Sequence, residues 1–274
     1  MIGTILRSTG SFKGKRRLAR LFLKNKIATL QDVIVKASYG CAYKLPNIKE
    51  DVGFDIYIDG VFEKETIELI LEHLPPNAIL VDMGANVGAI SLPVCMQRKD
   101  IKAICIEASP RVYKYLEFNI AYNQAENCTA INKAIMDTDG QTVNFYSPVD
   151  KFGKGSMSSL FTKEAELVDT ISLDTLLEQK GIEKIDFIKV DIEGYEYYGF
   201  KGAKKLLSKA NAPDILFEFI DIIEESANGI KAGSAQQLLL DYGYRLFSLT
   251  NNKKKKILLA PQTVGNAMIF ATKK

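Results

Sequence analysis

Short apolar runs alternate with amphipathic segments along most of this chain. The runs at 79–81, 103–106, 185–190 and 215–219 are apolar at most positions rather than at every second one. Such continuous runs are typical of strands that are covered on both faces of a parallel sheet. The segments between them space their apolar residues as helices do, as at 63–74, 173–179 and 235–241. The pattern predicts a doubly wound α/β fold with a mostly parallel, seven-stranded sheet.

The two ends of the chain depart from this alternation. Near the C-terminus, the strand-like runs 244–249 and 266–271 have no helix between them, which predicts an antiparallel hairpin at the end of the sheet. The lysine run 253–256 is expected to form its exposed turn. Near the N-terminus, residues 51–58 are predicted to be extended. We expect a domain over 51–274, preceded by an extension over 1–50 that is helical in part.

The net charge also changes sign between residues 1–50 and residues 51–274. Of 36 Lys and Arg residues in the 274-residue chain, eleven fall in residues 1–50, against two acidic residues. The rest of the chain is acidic, which argues against a basic groove for nucleic acid. The basic side chains of Arg16, Arg17, Arg20 and Lys24 are either a solvated helix face or one side of a helix that lies on an anionic membrane surface. In the second case Leu18, Leu21 and Phe22 form the apolar side.

The four cysteines, at positions 41, 95, 105 and 128, form no CxxC pair. Their spacing gives no zinc signature and is typical of reduced thiols in the cytoplasm. The chain has no apolar run long enough to span a membrane, and its basic start lacks the apolar middle of a signal peptide. We therefore expect a cytoplasmic protein, with the N-terminal helix as its contact to the inner membrane surface in the alternative above.

Acidic residues follow the apolar runs. Ligands of open parallel sheets bind beyond the carboxyl ends of the strands. The carboxylates expected there are Asp82, Glu107, Asp137, Asp191, Glu193 and Glu218. Phosphate sites use cations or bare amides instead, so this edge favours a cationic or hydroxyl-rich ligand.

The first of these strands leads into a glycine turn, Gly84-Ala85-Asn86-Val87-Gly88. A nicotinamide-dependent oxidoreductase is one interpretation, but Asn86 replaces the glycine that lets pyrophosphate approach, and Asp82 would repel it. A cofactor with a sulfonium, an amino group and a ribose suits Asp82 and Asn86 better. Glu107 ends the second strand, where a carboxylate can accept hydrogen bonds from both ribose hydroxyls.

The motifs Val81-Asp82-Met83-Gly84-Ala85-Asn86-Val87-Gly88, Glu107-Ala108-Ser109-Pro110, Ser158-Ser159-Leu160, Ser172-Leu173-Asp174-Thr175-Leu176 and Ile188-Lys189-Val190-Asp191-Ile192-Glu193-Gly194 resemble the FkbM family of S-adenosylmethionine-dependent methyltransferases. The resemblance covers about residues 59–219. It implies a Rossmann-like class I methyltransferase sheet and methyl transfer to a hydroxyl of a sugar, glycan or other small molecule. By position, it implies that Asp82, Gly84, Asn86 and Gly88 line the methionine end of the cofactor, Glu107 its ribose and Asp137 its adenine.

A hydroxyl acceptor must lose a proton, and the chain has one histidine, His73. The base is therefore expected to be a carboxylate, a lysine or a metal-bound group. We predict Asp191 as the base and Glu193 as its orienting partner. Asp191 and Glu218 could share a divalent metal ion, but two ligands are too few to predict a metal site. The loop 147–166 is expected to form a lid over the methyl acceptor. The alternative function is that of a methyltransferase-like module that binds the cofactor without turnover.

Overall fold

A computed structural model describes residues 6, 7, 9, 12, 14–250 and 254–274 of the chain. The strands of the described part are β1 Gln31–Lys36, β2 Ala42–Asn47, β3 Ile79–Met83, β4 Lys102–Ile106, β5 Cys128–Ile131, β6 Ala134–Ile135, β7 Thr142–Tyr146, β8 Ala165–Ile171, β9 Phe187–Val190, β10 Asp214–Ile220, β11 Arg245–Thr250, β12 Lys254–Leu258 and β13 Asn266–Thr272. The helices are α1 Lys15–Phe22, α2 Lys24–Thr29, α3 Asp51–Asp59, α4 Lys64–His73, α5 Ser91–Gln97, α6 Pro110–Tyr122, α7 Leu173–Gln179, α8 Glu196–Lys201, α9 Lys204–Leu207, α10 Asp221–Glu224 and α11 Ser234–Asp241.

The main sheet has the order β12-β11-β13-β10-β9-β3-β4-β5. The five strands from β10 to β5 are parallel, and β13, β11 and β12 pair antiparallel beside them. Apolar clusters cover both of its faces, with Leu80 in one and Val81 in the other. The Rossmann-like α/β class, the mostly parallel core and the antiparallel pairing of β11 with β13 are confirmed.

The sheet has an eighth strand, β12, where we expected an exposed turn. Lys254 to Lys256 pair with β11, and Lys253 lies outside the described residues. A lysine run is a poor sequence signal for a strand, but charged residues are common on edge strands, where they discourage pairing with other chains. The turn prediction for 254–256 was therefore wrong.

A second sheet of three strands, in the order β6-β8-β7, lies beside the main one. The chain leaves the main sheet between β5 and β6, which are separated by Asn132 and Lys133. Asn132 lies at the break and donates from Nδ2 to the carbonyl oxygens of Glu107 and Ala108, both at 2.8 Å. Strand β8, which begins at Ala165, was not predicted and shortens the loop before it.

Residues 51–58 are helical, not extended as predicted. Glu50 caps α3 by accepting from the backbone N–H of Gly53 at 3.4 Å, and Gly60 ends the helix in the left-handed region. The apolar positions of α3 alternate along the sequence because the helix is buried around most of its circumference, including Val52, Phe54 and Ile56. That alternation imitated a strand.

The described part of the N-terminal region contains helices, as expected, and also a hairpin of β1 and β2. Two asparagines, Asn119 within α6 and Asn123 directly after it, bind the backbone of β2. Their side-chain oxygens accept from the N–H groups of Lys44 and Ala42, each at 2.7 Å. Buried side chains of the hairpin, such as Tyr43, belong to the same apolar core as the main sheet. Among the residues described, no helix is long and apolar enough to cross a membrane.

Candidate active site

A cavity of about 360 Å³ opens at the carboxyl ends of β3, β4, β9 and β10. Its wall includes Asp82, Gly84, Asn86, Glu107, Asp191, Glu193 and Glu218 from the sequence-based set. This grouping follows from the parallel sheet, because carboxyl ends of parallel strands meet at one edge. The volume lies in the range of small-molecule sites.

The glycine turn brings β3 into close contact with β9. Gly84 has φ +82°, and a Cβ there would collide with the backbone carbonyl oxygen of Asp191. The N–H groups of Gly84 and Ala85 both donate to the carbonyl oxygen of Ile106 at 2.9 Å. Only glycine fits at position 84, and the turn therefore fixes the distance between the ends of β3, β4 and β9.

Glu107 is held at the cavity wall by two backbone donors. Its Oε2 accepts from the N–H of Asn86 at 2.9 Å, and its Oε1 accepts from the N–H of Ser109 at 2.8 Å. Burial raises the pKa of Glu107 to about 7. Each carboxylate oxygen keeps a lone pair, so the group can still accept from a ligand diol.

Asp82 and Asp191 share a buried lysine that the sequence analysis did not single out. Lys189 Nζ lies 3.1 Å from Asp191 Oδ2 and 4.0 Å from Asp82 Oδ1. Burial alone would lower the pKa of Lys189, but the carboxylates of Asp191, Asp82 and Glu63 outweigh it and raise the pKa. The available signal was a charged residue in the middle of the apolar strand β9, whose burial requires a partner.

Asp82 is the most buried carboxylate of this cluster. Its Oδ2 accepts from the hydroxyl of Ser91, while its Oδ1 has no hydrogen-bond partner. Burial raises the pKa of Asp82, although Lys189 opposes the shift. A buried carboxylate oxygen that has no hydrogen bond and lies 4.0 Å from Lys189 Nζ can still accept from a cationic ligand group.

Asp191 and Glu193 have different partners. Asp191 is partly exposed to the cavity and contacts Lys189, whereas Glu193 Oε1 accepts from Lys154 Nζ at 2.7 Å. Burial, and next the charge of Asp191, raise the pKa of Glu193 to about 7. Lys189, and not Glu193, is thus the residue that contacts Asp191, while the roles of Asp191 as base and Glu193 as its orienting partner stay predictions.

The loop between β7 and β8 covers part of the cavity. Phe152 is buried there and its carbonyl oxygen accepts from Asn86 Nδ2 at 3.3 Å. Ser156 Oγ donates to the carbonyl oxygen of Glu193 at 2.7 Å. The segment lies over the site as a lid would, and its movement stays a prediction.

Asp137 and Gly88 stand apart from the rest of the predicted set. Asp137 does not belong to the described cavity wall, and its carboxylate pairs with Lys201 Nζ at 2.6 Å. Asp137 follows β6, which belongs to the small sheet, so the strand-end rule does not place it at the main edge. Gly88 has φ +84° and packs against Leu92 below the turn.

Helix α3 and the N-terminal region complete the cavity, which the sequence analysis did not anticipate. Glu50, Asp51 and Asp55 line it, together with Arg16 of α1. Arg16 lies 2.6 Å from Asp51 and 3.1 Å from Asp55. Contacts between such distant parts of a chain leave no local sequence signal.

In the part of the chain described here, no group of three or more His, Cys, Asp or Glu residues is arranged to hold a metal ion. Asp191 and Glu218 both line the cavity, as expected. Burial, and next the charge of Asp191, raise the pKa of Glu218 to about 7.

A family model described as the methyltransferase FkbM domain matches residues 82–246. The methyltransferase sdnD of Sordaria araneosa is 27% identical over 162 residues, covering 48% of this chain and 62% of that protein. The hexuronic acid methyltransferase AglP of Haloferax volcanii is 26% identical over 149 residues, covering 54% and 59%. The chain thus spans about three-fifths of the length of these relatives. A solved O-methyltransferase from Bacillus cereus, 12% identical, aligns with a TM-score of 0.40 over 76% of this chain and 79% of that one.

Proposed function

Because the chain belongs to the FkbM family of S-adenosylmethionine-dependent methyltransferases, we propose that it methylates a hydroxyl oxygen of a sugar or glycan. The observation that carries the proposal is the acidic cavity at the strand ends, with Glu107 fixed by the N–H groups of Asn86 and Ser109. The Haloferax relative is named for a hexuronic acid, a sugar with a carboxylate, which supports a sugar as the acceptor class but does not fix the charge of the sugar that this chain takes. We do not favour nucleic acid as acceptor, because an acidic wall repels its phosphates.

The residues present fit the cofactor. Glu107 would accept from the ribose hydroxyls, and Asp82, with one oxygen that has no hydrogen bond, would face the cationic methionine end near Gly84 and Asn86. When bound, S-adenosylmethionine supplies an electrophilic methyl carbon on a positively charged sulfur. The acidic wall is suited to a cation and unsuited to the pyrophosphate of a nicotinamide cofactor, which disfavours the oxidoreductase alternative.

Asp191 is the base in this proposal. It is the partly exposed carboxylate at the end of β9, and Lys189 holds one of its oxygens at 3.1 Å. Its carboxylate can accept the proton of a hydroxyl that lies in the cavity. Glu193 and Lys154, joined at 2.7 Å, hold the loop segment that carries Phe152 against the site and so help to exclude water.

Replacing Glu107 with alanine should weaken binding of S-adenosylmethionine by about 1–3 kcal/mol, because charge-assisted hydrogen bonds to the ribose are lost. Isothermal titration calorimetry measures the change. Glu178→Ala is the matched control, since Glu178 lies on α7 with 78% of its side chain exposed. Equal affinities of the two variants would remove Glu107 from the cofactor site.

Detection of methylated product from labelled cofactor and a glycan panel separates the enzyme from a binding module without turnover.

We also propose that the protein acts in the cytoplasm and that α1 contacts the inner membrane surface. Leu18, Leu21 and Phe22 are 45%, 71% and 68% exposed on this helix. Arg17 and Lys24 are exposed beside them, whereas Arg16 and Arg20 turn toward Asp51. Exposed apolar side chains flanked by cations are typical of helices that lie on anionic lipid.

The four cysteines are free thiols, which suits a reducing compartment such as the cytoplasm.

Vesicle sedimentation tests this contact. The protein should pellet with vesicles of phosphatidylglycerol and phosphatidylcholine and much less with phosphatidylcholine alone. The double variant Leu21→Ser/Phe22→Ser should bind roughly tenfold more weakly or worse, because both side chains lose their transfer into the interface. Leu167→Ser, which changes an equally exposed leucine on β8, should bind like the wild type. Wild-type protein that stays in the supernatant with both lipids would contradict the proposal.

A further inference from the structure

The described wall of the cavity contains more carboxylate side chains than cationic ones. Nine carboxylates line it, against four cationic side chains. The carboxylates are Glu50, Asp51, Asp55, Glu63, Asp82, Glu107, Asp191, Glu193 and Glu218. A cationic cofactor offsets part of this excess, and the remainder faces whatever else binds there.

Each cation of the described wall already has an anionic partner on the protein. Arg16 pairs with Asp51 and Asp55, and Lys133 pairs with Asp169 at 3.0 Å. Lys154 pairs with Glu193 at 2.7 Å, and Lys189 pairs with Asp191 at 3.1 Å. A carboxylate or phosphate of an acceptor would therefore have to break one of these pairs to gain a counter-charge.

Three carboxylates of the cavity wall lie around Lys154 and the residue before it. Glu193 Oε1 is 2.7 Å from Lys154 Nζ, Glu50 Oε2 lies against Gly153, and Glu218 lines the wall together with Glu193. Burial is the largest cause that raises the pKa of each of these three glutamates to about 7, so a bound cation stabilises their charged form, whereas an anion binds only against that charge or with uptake of protons. We name Glu50, Glu193 and Glu218 the acceptor-side carboxylates.

We infer that the acceptor side of the cavity is specific for hydroxyl compounds without negative charge, and that an amino group on the acceptor strengthens binding. The inference rests on the proposed methyl transfer to a hydroxyl. Hydroxyl and ammonium groups donate to carboxylates, while an anion brought to the same place meets like charges in a poorly solvated cavity. Glu50 precedes the matched region 82–246, so this selectivity depends partly on the chain's own N-terminal region.

Saturation-transfer NMR with three sugars of one scaffold tests the inference. Methyl glucoside, glucosamine and glucuronate differ in charge and little in shape. The series is measured on the free protein and on protein incubated with S-adenosylhomocysteine. We expect glucosamine to bind best, methyl glucoside next, and glucuronate about tenfold or more weakly than glucosamine. Binding of glucuronate as tight as that of glucosamine, or no binding of any of the three, would overturn the inference.

A charge-neutralising variant links the preference to the named residues. Glu50→Gln/Glu218→Gln should bring the affinities for glucuronate and glucosamine to within about threefold of one another, since two of the three acceptor-side residues can no longer ionise. Glu178→Gln, at an exposed position on α7, should keep the wild-type order. An unchanged order in the double variant would also overturn the inference. Failure of S-adenosylhomocysteine to bind would instead count against the proposed function, since the charge order is measured with and without it.

Discussion

Replacing Asp191 with asparagine should lower the rate of methyl transfer by about 10²–10⁴ and leave the affinity for S-adenosylmethionine almost unchanged. Asparagine keeps the shape of the side chain but cannot accept the hydroxyl proton. The neighbouring contacts survive in part, because the amide oxygen can still accept from Lys189, now 3.1 Å from Asp191 Oδ2. Single-turnover kinetics with labelled cofactor measure the chemical step, and calorimetry measures cofactor affinity.

Two variants give this prediction its controls. Glu193→Gln tests whether the carboxyl with a pKa of about 7 is the base instead, and we expect it to reduce the rate much less because it pairs with Lys154. Asp241→Asn, on the exposed end of α11, should have no effect. If Asp191→Asn retains the wild-type rate while Glu193→Gln loses it, the roles of the two carboxylates are reversed.

Replacing Lys189 with methionine should reduce the free energy of unfolding by about 3–5 kcal/mol near pH 8, because buried carboxylates lose their counter-charge. Burial already raises the pKa of Asp82, and Lys189 is the largest influence that lowers it. Without Lys189 that pKa rises further. A carboxyl with a raised pKa in the folded state favours folding at low pH and ceases to do so as pH rises through the folded-state pKa. The loss of stability should therefore be smaller at pH 5.5 than at pH 8.

Urea unfolding at the two pH values measures this difference. Lys205→Met is the control, because that side chain is 81% exposed and its pair with Glu178 spans 3.9 Å. We expect it to change stability by less than about 0.5 kcal/mol. A loss below about 1 kcal/mol for Lys189→Met at pH 8 would show that the buried carboxylates do not depend on this lysine.

The sheet could be predicted from the sequence because its strands are continuous apolar runs. The same rule brought Asp82, Glu107 and Asp191 to one edge, since carboxyl ends of parallel strands meet there. It did not hold for Asp137, whose strand β6 pairs with β8 outside the main sheet. A residue at the end of a strand therefore reaches this site only if its strand belongs to the main sheet.

Other errors come from contacts that local patterns do not encode. Residues 51–58 alternate like a strand, but α3 is buried on several sides, so its apolar positions do not follow a single helical stripe. The contacts of Lys189 with Asp191 and Asp82 were not predicted, although a lysine buried within an apolar strand needs anionic partners. Arg16 and Glu50 reach the cavity only through the folding of the N-terminal region onto the main sheet.

Mass spectrometry of acceptors after incubation with methyl-labelled S-adenosylmethionine tests the central claim most directly. The panel contains neutral, amino-bearing and carboxylate-bearing saccharides, free and lipid-linked. We predict that the label appears as a methyl ether on a hydroxyl oxygen of a neutral or amino-bearing saccharide, and that Asp191→Asn abolishes most of it. Label on nitrogen or carbon, or methylation confined to the carboxylate-bearing saccharides, would contradict the account.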